Sequence, residues 1–147
     1  MPVVRISASR DIAAEPGAVF RWIEDPDLAS RWQPDVAEHE ITRAGTEVVG
    51  TEFREVIRDG SGSLEVRGRV SAHVPGTSME FELAGRGLRI RARYVLTPVA
   101  SGTRLTVRLS VRVGGPLSWA FAPFVRRGLV ARLDADLSRL QELCEAE

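Results

Sequence analysis

Residues 3 to 12 alternate: Val4, Ile6, Ala8 and Ile12 fall on one side, Arg5, Ser7, Ser9 and Asp11 on the other. That period of two predicts a half-buried strand. The period then lengthens. Pro16 suits a first helical turn, and Val19, Phe20 and Ile23 follow at helical spacing. Asp25 and Pro26 read as the cap and first turn of a second short helix. It carries Leu28 and Trp32 one turn apart and cannot run far past Pro34. Six alternating segments come next, at about 36–43, 48–58, 63–74, 77–84, 88–97 and 103–113, separated by glycine-bearing turns. The second puts Val49, Phe53 and Ile57 on one face, and the third Leu64, Val66, Val70 and Val74. From Pro116 the pattern is helical, with a break or restart expected at Pro123. Leu129, Leu133, Leu137 and Leu140 form a stripe at spacings of 4, 4 and 3.

Hairpin-length connections make the last six strands an antiparallel meander. Each strand has one apolar face and the long helix has one apolar stripe, so each needs the other. The expected architecture is α+β: a seven-stranded curved antiparallel sheet wrapped around a long C-terminal helix, with two short helices after strand 1 closing one end. Residues 1–147 read as a single domain.

Composition narrows the chemistry. All 20 basic residues are arginine, so Schiff-base and lysine-base mechanisms are excluded. The formal net charge of zero argues against strong nonspecific attraction to nucleic acid or anionic membrane, although a local patch remains open. Cys144 is the one cysteine, which excludes an internal disulfide and a cysteine-based zinc cluster. No apolar run approaches bilayer-spanning length and the N-terminus lacks a signal-peptide core, so a cytoplasmic protein without stable membrane insertion is expected. Phosphate-loop, HExxH and GxSxG motifs are missing, and neither metal nor cofactor is expected. The outward face carries Arg67, Arg69, Arg89, Arg91, Arg93, Arg104, Arg108 and Arg112, with Glu65, Glu80 and Glu82 between them. Cross-strand ion pairs explain this more simply than nucleic-acid binding, because aromatics to stack bases are lacking there.

A strand ending in "DIAAEP", then "VFRWIEDPD", then Trp32, Gln33 and Pro34, followed by a meander and an amphipathic helix, resembles the START-like, or SRPBCC, superfamily. That group includes polyketide cyclase/dehydrase-like and lipid-binding proteins with the helix-grip fold. The resemblance implies that Trp32 anchors the second short helix against the sheet edge. It also implies an apolar cavity between sheet and long helix, open near the short helices, with residues 114–128 bordering its mouth. Trp22 lies off the Val19–Phe20–Ile23 face, which leaves it half exposed, at a pocket rim or at a dimer contact.

The inward parity supplies walls for such a cavity: Phe53, Ile57, Val66, Val70, Phe81, Leu83, Ile90, Leu105, Val107 and Leu109. Periodicity alone does not separate a pocket lining from a solid core. Polar residues at inward parity are sharper. Glu55 shares the face of Phe53 and Ile57, where an unpaired charge is too costly to stay dry. His39 is expected opposite Thr51 and diagonal to Phe53. A histidine and a carboxylate there could do acid–base work, and the Tyr94 hydroxyl could orient a ligand. Arg10 could pair with Glu55 or a ligand acid, or escape at the strand end, while His73 falls on the polar parity. Trp119, Phe121 and Phe124 admit three readings: a gate for an apolar ligand, helix packing on the sheet, or a surface for a partner or membrane interface beside Arg126 and Arg127.

Three functions follow as expectations. The first is a binder of a small hydrophobic or amphipathic molecule of lipid, isoprenoid or polyketide type. The second is a polyketide cyclase/dehydratase-like enzyme using His39, Glu55 or Tyr94. The third is a protein–protein interaction module. A homodimer is left open.

Overall fold

The computed structural model describes residues 2–60 and 62–147. The elements run β1 (Val3–Ile12), α1 (Pro16–Glu24), α2 (Pro26–Trp32), β2 (Val36–Arg43), β3 (Glu52–Asp59), β4 (Gly62–Val74), β5 (Ser78–Gly85), β6 (Leu88–Val99), β7 (Gly102–Val113) and α3 (Ser118–Glu145). The strands form one antiparallel sheet in the order β1-β7-β6-β5-β4-β3-β2. The expected helix-grip arrangement is therefore the one found.

The short helices start as their sequences dictate. Each has a proline in its first turn, where no backbone N–H is needed. The Asp25 side chain caps α2 by accepting from the Asp27 amide at 2.9 Å. Ile12, Leu105, Val107, Val111, Val19, Leu137 and Leu140 are sealed in the core between the sheet, α1 and α3. Each large apolar side chain so buried contributes about 1.5–3 kcal/mol.

Helix α3 lies mainly along β1, with smaller contacts to β7, α1 and α2. Among the described residues it makes no more than marginal contact with β2 to β5. Arg10 fastens this seam: it reaches Asp134 at 2.6 Å and Gln141 at 3.4 Å on α3, not Glu55.

Four expectations change. Strand β3 begins at Glu52 rather than near 48, so Val49 lies in the loop and is exposed. Helix α3 runs unbroken through Pro123. That proline lies one and a half turns in, where its missing N–H forfeits a single bond, to the Trp119 carbonyl, on an exposed stretch. The register between β4 and β5 shifts between Val70 and Ala72, leaving Ser71 as the extra residue of a bulge. The shift sends Val74 out to solvent and turns His73 inward, opposite Met79. His73 then hydrogen-bonds Glu24 at the end of α1, and its ring lies 5.8 Å from that of Phe20. The fourth change concerns Trp22, which is buried rather than at a rim. Its indole N–H donates to Glu147 at 3.0 Å, and Arg31 covers the ring at 5.0 Å.

The outer face carries the expected cross-strand pairs, Arg69 with Glu82 at 2.9 Å and Arg91 with Glu80 at 3.2 Å, and a pair within β4, Arg67 with Glu65 at 3.5 Å. Exposed pairs of this kind contribute at most about 1 kcal/mol each.

Candidate functional site

An aromatic row crosses the inner face. Trp32 meets Tyr94 edge-on, Tyr94 meets Phe81 edge-on at 5.8 Å, and Phe81 meets Phe53 edge-on at 6.0 Å. Phe53 in turn stacks on His39 at 5.4 Å. Five elements supply these rings: α2, β6, β5, β3 and β2. Edge-to-face contacts add about 0.5–1.5 kcal/mol each beyond area burial. Trp32 therefore anchors α2 over β6, an interior strand, and not against the sheet edge. Its indole N–H is satisfied by the Trp22 carbonyl at 2.9 Å.

The row needs room. Gly68 sits opposite Phe53 in the β3–β4 ladder. A Cβ at Gly68 would lie 2.5 Å from the Phe53 Cζ. The ring occupies the space that a side chain would take.

His39 lies opposite Glu55 and not Thr51, because β3 starts later and the β2–β3 connection is longer than expected. The two are closer partners than the sequence suggested, with Nδ1 3.9 Å from Oε2. The Glu55 side chain is 14% exposed; His39 lies on the exposed edge strand, with its side chain 23% exposed against Phe53.

Tyr94 is the hub of a polar cluster. Burial pushes its phenol well above the ordinary range, and the charges of Glu55 and Asp136 add to this, while Arg132 and a hydrogen bond with Gln33 oppose it. The hydroxyl is thus held in its neutral form. Asp136 enters from α3, buried to 9% exposure. Its carboxyl is pushed up to about 6, first by burial and then by Asp35, against the pull of Arg132 and Arg139. Arg132 lies between two carboxylates, 3.8 Å from Asp136 and 3.9 Å from Asp35. Asp136 and Arg132 were missed in the sequence. The signal was there for Asp136: it falls on the Leu129–Leu133–Leu140 stripe, where a carboxylate is out of place.

The remaining wall residues divide by position. Phe53, Val70, Leu105 and Val107 are buried. Ile57, Phe81, Leu83 and Ile90 are half-buried on the inner face, away from α3. Phe81 and Ile90 pack against the core cluster, and Leu83 continues the same inner face beyond the reach of α3. Trp119, Phe121 and Phe124 are exposed at the start of α3, which excludes their packing on the sheet. No group of residues suited to hold a metal ion occurs among the described residues. No helix there is long and apolar enough to cross a membrane.

Solved structures share this architecture. The Zhui aromatase/cyclase of a Streptomyces species aligns over 98% of this chain and 94% of its own, with a TM-score of 0.83 and 13% identity. A Thermus thermophilus protein aligns over 99% of this chain and 98% of its own, at 0.80 and 20%. A protein of Rhizobium leguminosarum aligns over 99% and 97%, at 0.77 and 15%. At such identities the likeness is one of fold. No curated protein matches the chain. The sequence profile described as "Polyketide cyclase / dehydrase and lipid transport" matches residues 3–145, nearly the full length. The chain belongs to that polyketide cyclase / dehydrase and lipid transport family.

Proposed function

We propose that the chain binds a small hydrophobic or amphipathic molecule, of lipid, isoprenoid or polyketide type, in the cleft between the inner sheet face and α3. The observation that carries this reading is the aromatic row from Trp32 to His39. Its buried rings, Trp32, Tyr94 and Phe53, form the floor of the proposed site, the half-buried Phe81 is the ring open to a ligand, and the Tyr94 hydroxyl would orient a polar end. The half-buried Leu83 and Ile90 extend the apolar wall. Native mass spectrometry of freshly purified protein, with titration of a polarity-sensitive apolar probe, tests it. A co-purifying apolar mass or micromolar probe binding, weakened by Phe81→Ala, supports the reading. A mass equal to the bare chain together with no probe binding sinks it.

A second reading makes the same cleft an active site resembling those of polyketide cyclases and dehydratases. It is favoured by the charged groups whose fields reach the buried Tyr94 phenol, Glu55, Asp136 and Arg132, the last two 3.8 Å apart. With its carboxyl near 6, Asp136 can hold or release a proton close to neutrality, and His39 beside Glu55 offers a second exchange point. Confinement of a reactive chain in one folded conformation would supply the rest. Turnover of a poly-β-ketone substrate is then expected to fall at least tenfold in Asp136→Asn, Glu55→Gln or His39→Gln. Equal turnover in all three removes the acid–base assignment and leaves the carrier.

A further inference from the structure

The twenty acidic residues are unevenly placed. From residue 83 to residue 133 there is no Asp or Glu, and this stretch holds ten arginines. It comprises β6, β7 and the first half of α3, so a chain of zero net charge has one strongly basic part.

One end of that part is also apolar. Leu117, Trp119, Phe121 and Phe124 are 54%, 73%, 55% and 67% exposed. The Gly114 amide donates to the Gly87 carbonyl at 2.7 Å, which ties the β5–β6 turn to the entry of α3. Five exposed arginines belong to the same end of the chain's basic part: Arg126 and Arg127 just after Phe124 in α3, Arg86 in the turn tied to Gly114, and Arg89 opposite Arg112 where β6 and β7 meet that turn. None of the five forms an ion pair among the described residues. Arg126 instead donates to the Arg5 carbonyl at 2.7 Å, bracing the first turns of α3 against β1.

We propose that this end of the molecule docks on an anionic lipid surface. Leu117, Phe121 and Phe124 recur at spacings of four and three and share one helix face, whereas Trp119 lies on the other flank of the core stripe. A folded protein partner covers one flank of a helix. A fluid interface surrounds a protruding tip and accepts apolar groups on both. Tryptophan favours the headgroup level, and each arginine near an anionic surface adds favourable energy. The attachment is peripheral, since no described helix can span the bilayer. It also places the cleft beside the lipid, but the proposal stands on the α3 surface and not on what occupies the cleft.

The test uses the full chain with vesicles of phosphatidylcholine and phosphatidylglycerol, against vesicles of phosphatidylcholine alone. Trp22 and Trp32 are 3% and 2% exposed, so Trp119 is the indole free to respond. The expected result is cosedimentation with the mixed vesicles only, lost at high salt, with a blue-shifted emission shielded from acrylamide. Trp119→Phe should abolish the emission change and keep binding. Arg86→Gln with Arg127→Gln should weaken binding about thirtyfold, at roughly 1 kcal/mol per arginine. Phe121→Ser with Phe124→Ser should weaken it at least tenfold. Retained circular dichroism and apolar-probe binding without vesicles would show both variants folded and the cleft intact. Absence of cosedimentation overturns the proposal, as does equal binding by all variants. A concentration-dependent dimer dissolved by Phe121→Ser with Phe124→Ser, without vesicle binding, assigns the surface to a second copy instead.

Discussion

The indole of Trp32 stands edge-on to the phenol ring of Tyr94, centroids 6.3 Å apart and planes at 83°. This contact joins the end of α2 to an interior strand and carries the Tyr94 hydroxyl to the polar cluster. Trp32→Ala is expected to cost about 3–5 kcal/mol in urea unfolding, as for other buried tryptophans. Trp32→Phe should recover part of that but leave the Trp22 carbonyl without its donor. If Trp32→Ala unfolds with the wild-type midpoint, α2 is held by something other than this ring.

Asp136 makes stability depend on pH. Its carboxyl is raised from 3.8 to about 6 in the folded chain, so ionising it is harder there than in the unfolded one. Its favourable contribution is complete below about pH 4 and is lost as pH rises through about 6. Two pKa units correspond to about 3 kcal/mol at most. Stability of the wild type relative to Asp136→Asn should therefore fall between those pH values, and the variant should be the more stable at pH 7. Parallel denaturation curves at pH 4 and pH 7, with an unchanged difference between the two proteins, would contradict this.

Three glycines separate three outcomes. A Cβ at Gly85 would lie 2.4 Å from the Glu65 carbonyl oxygen, a backbone atom that cannot step aside. At Gly68 the obstacle is the Phe53 ring, which can rotate away at the expense of the aromatic row. At Gly128, inside α3, nothing lies within 4 Å. Gly85→Ala should destabilise most. Gly68→Ala should cost about 1–3 kcal/mol and also weaken apolar-probe binding. Gly128→Ala should stabilise by about 0.5–1 kcal/mol. Thermal melts and probe titrations of the three variants check the order.

His73 ties the end of α1 to β4 through Glu24. His73→Ala should raise amide hydrogen exchange in α1 selectively and cost about 1 kcal/mol, since the exposed Glu24 carboxylate exchanges this partner for water and the ring contact with Phe20 is lost. Exchange that is unchanged in α1 would mean that the Val19, Trp22 and Ile23 packing suffices.

These residues also mark where the sequence was readable. Alternation in β1, β6 and β7 placed Ile6, Tyr94 and Val107 on the correct face, because nothing interrupts their ladders. Residues 44–51 have no comparable pattern, so the long β2–β3 connection was invisible, and with it the pairing of His39 with Glu55. The bulge at Ser71 obeys no periodicity, and a single extra residue reversed the expected side for His73 and Val74. Pro123 was read by local chemistry alone, although α3 tolerates the loss of one hydrogen bond. Trp22 was judged by its own helix, whereas Arg31 and Glu147, from elsewhere in the chain, bury it. In the site, the parity of Phe53, Glu55 and Tyr94 was legible. Asp35 and Arg132 approach from a loop and a helix that only folding brings together.

The attachment of α3 along β1 gives the two sides of the cleft unequal freedom. One jaw is clamped to the helix by Arg10 and the leucine stripe; the other, β2 to β5, is held to it mainly through neighbouring strands. A guest of the proposed kind would meet the clamped jaw as a fixed rail, and outward flexing of the loose one is how guests of differing girth would be accommodated.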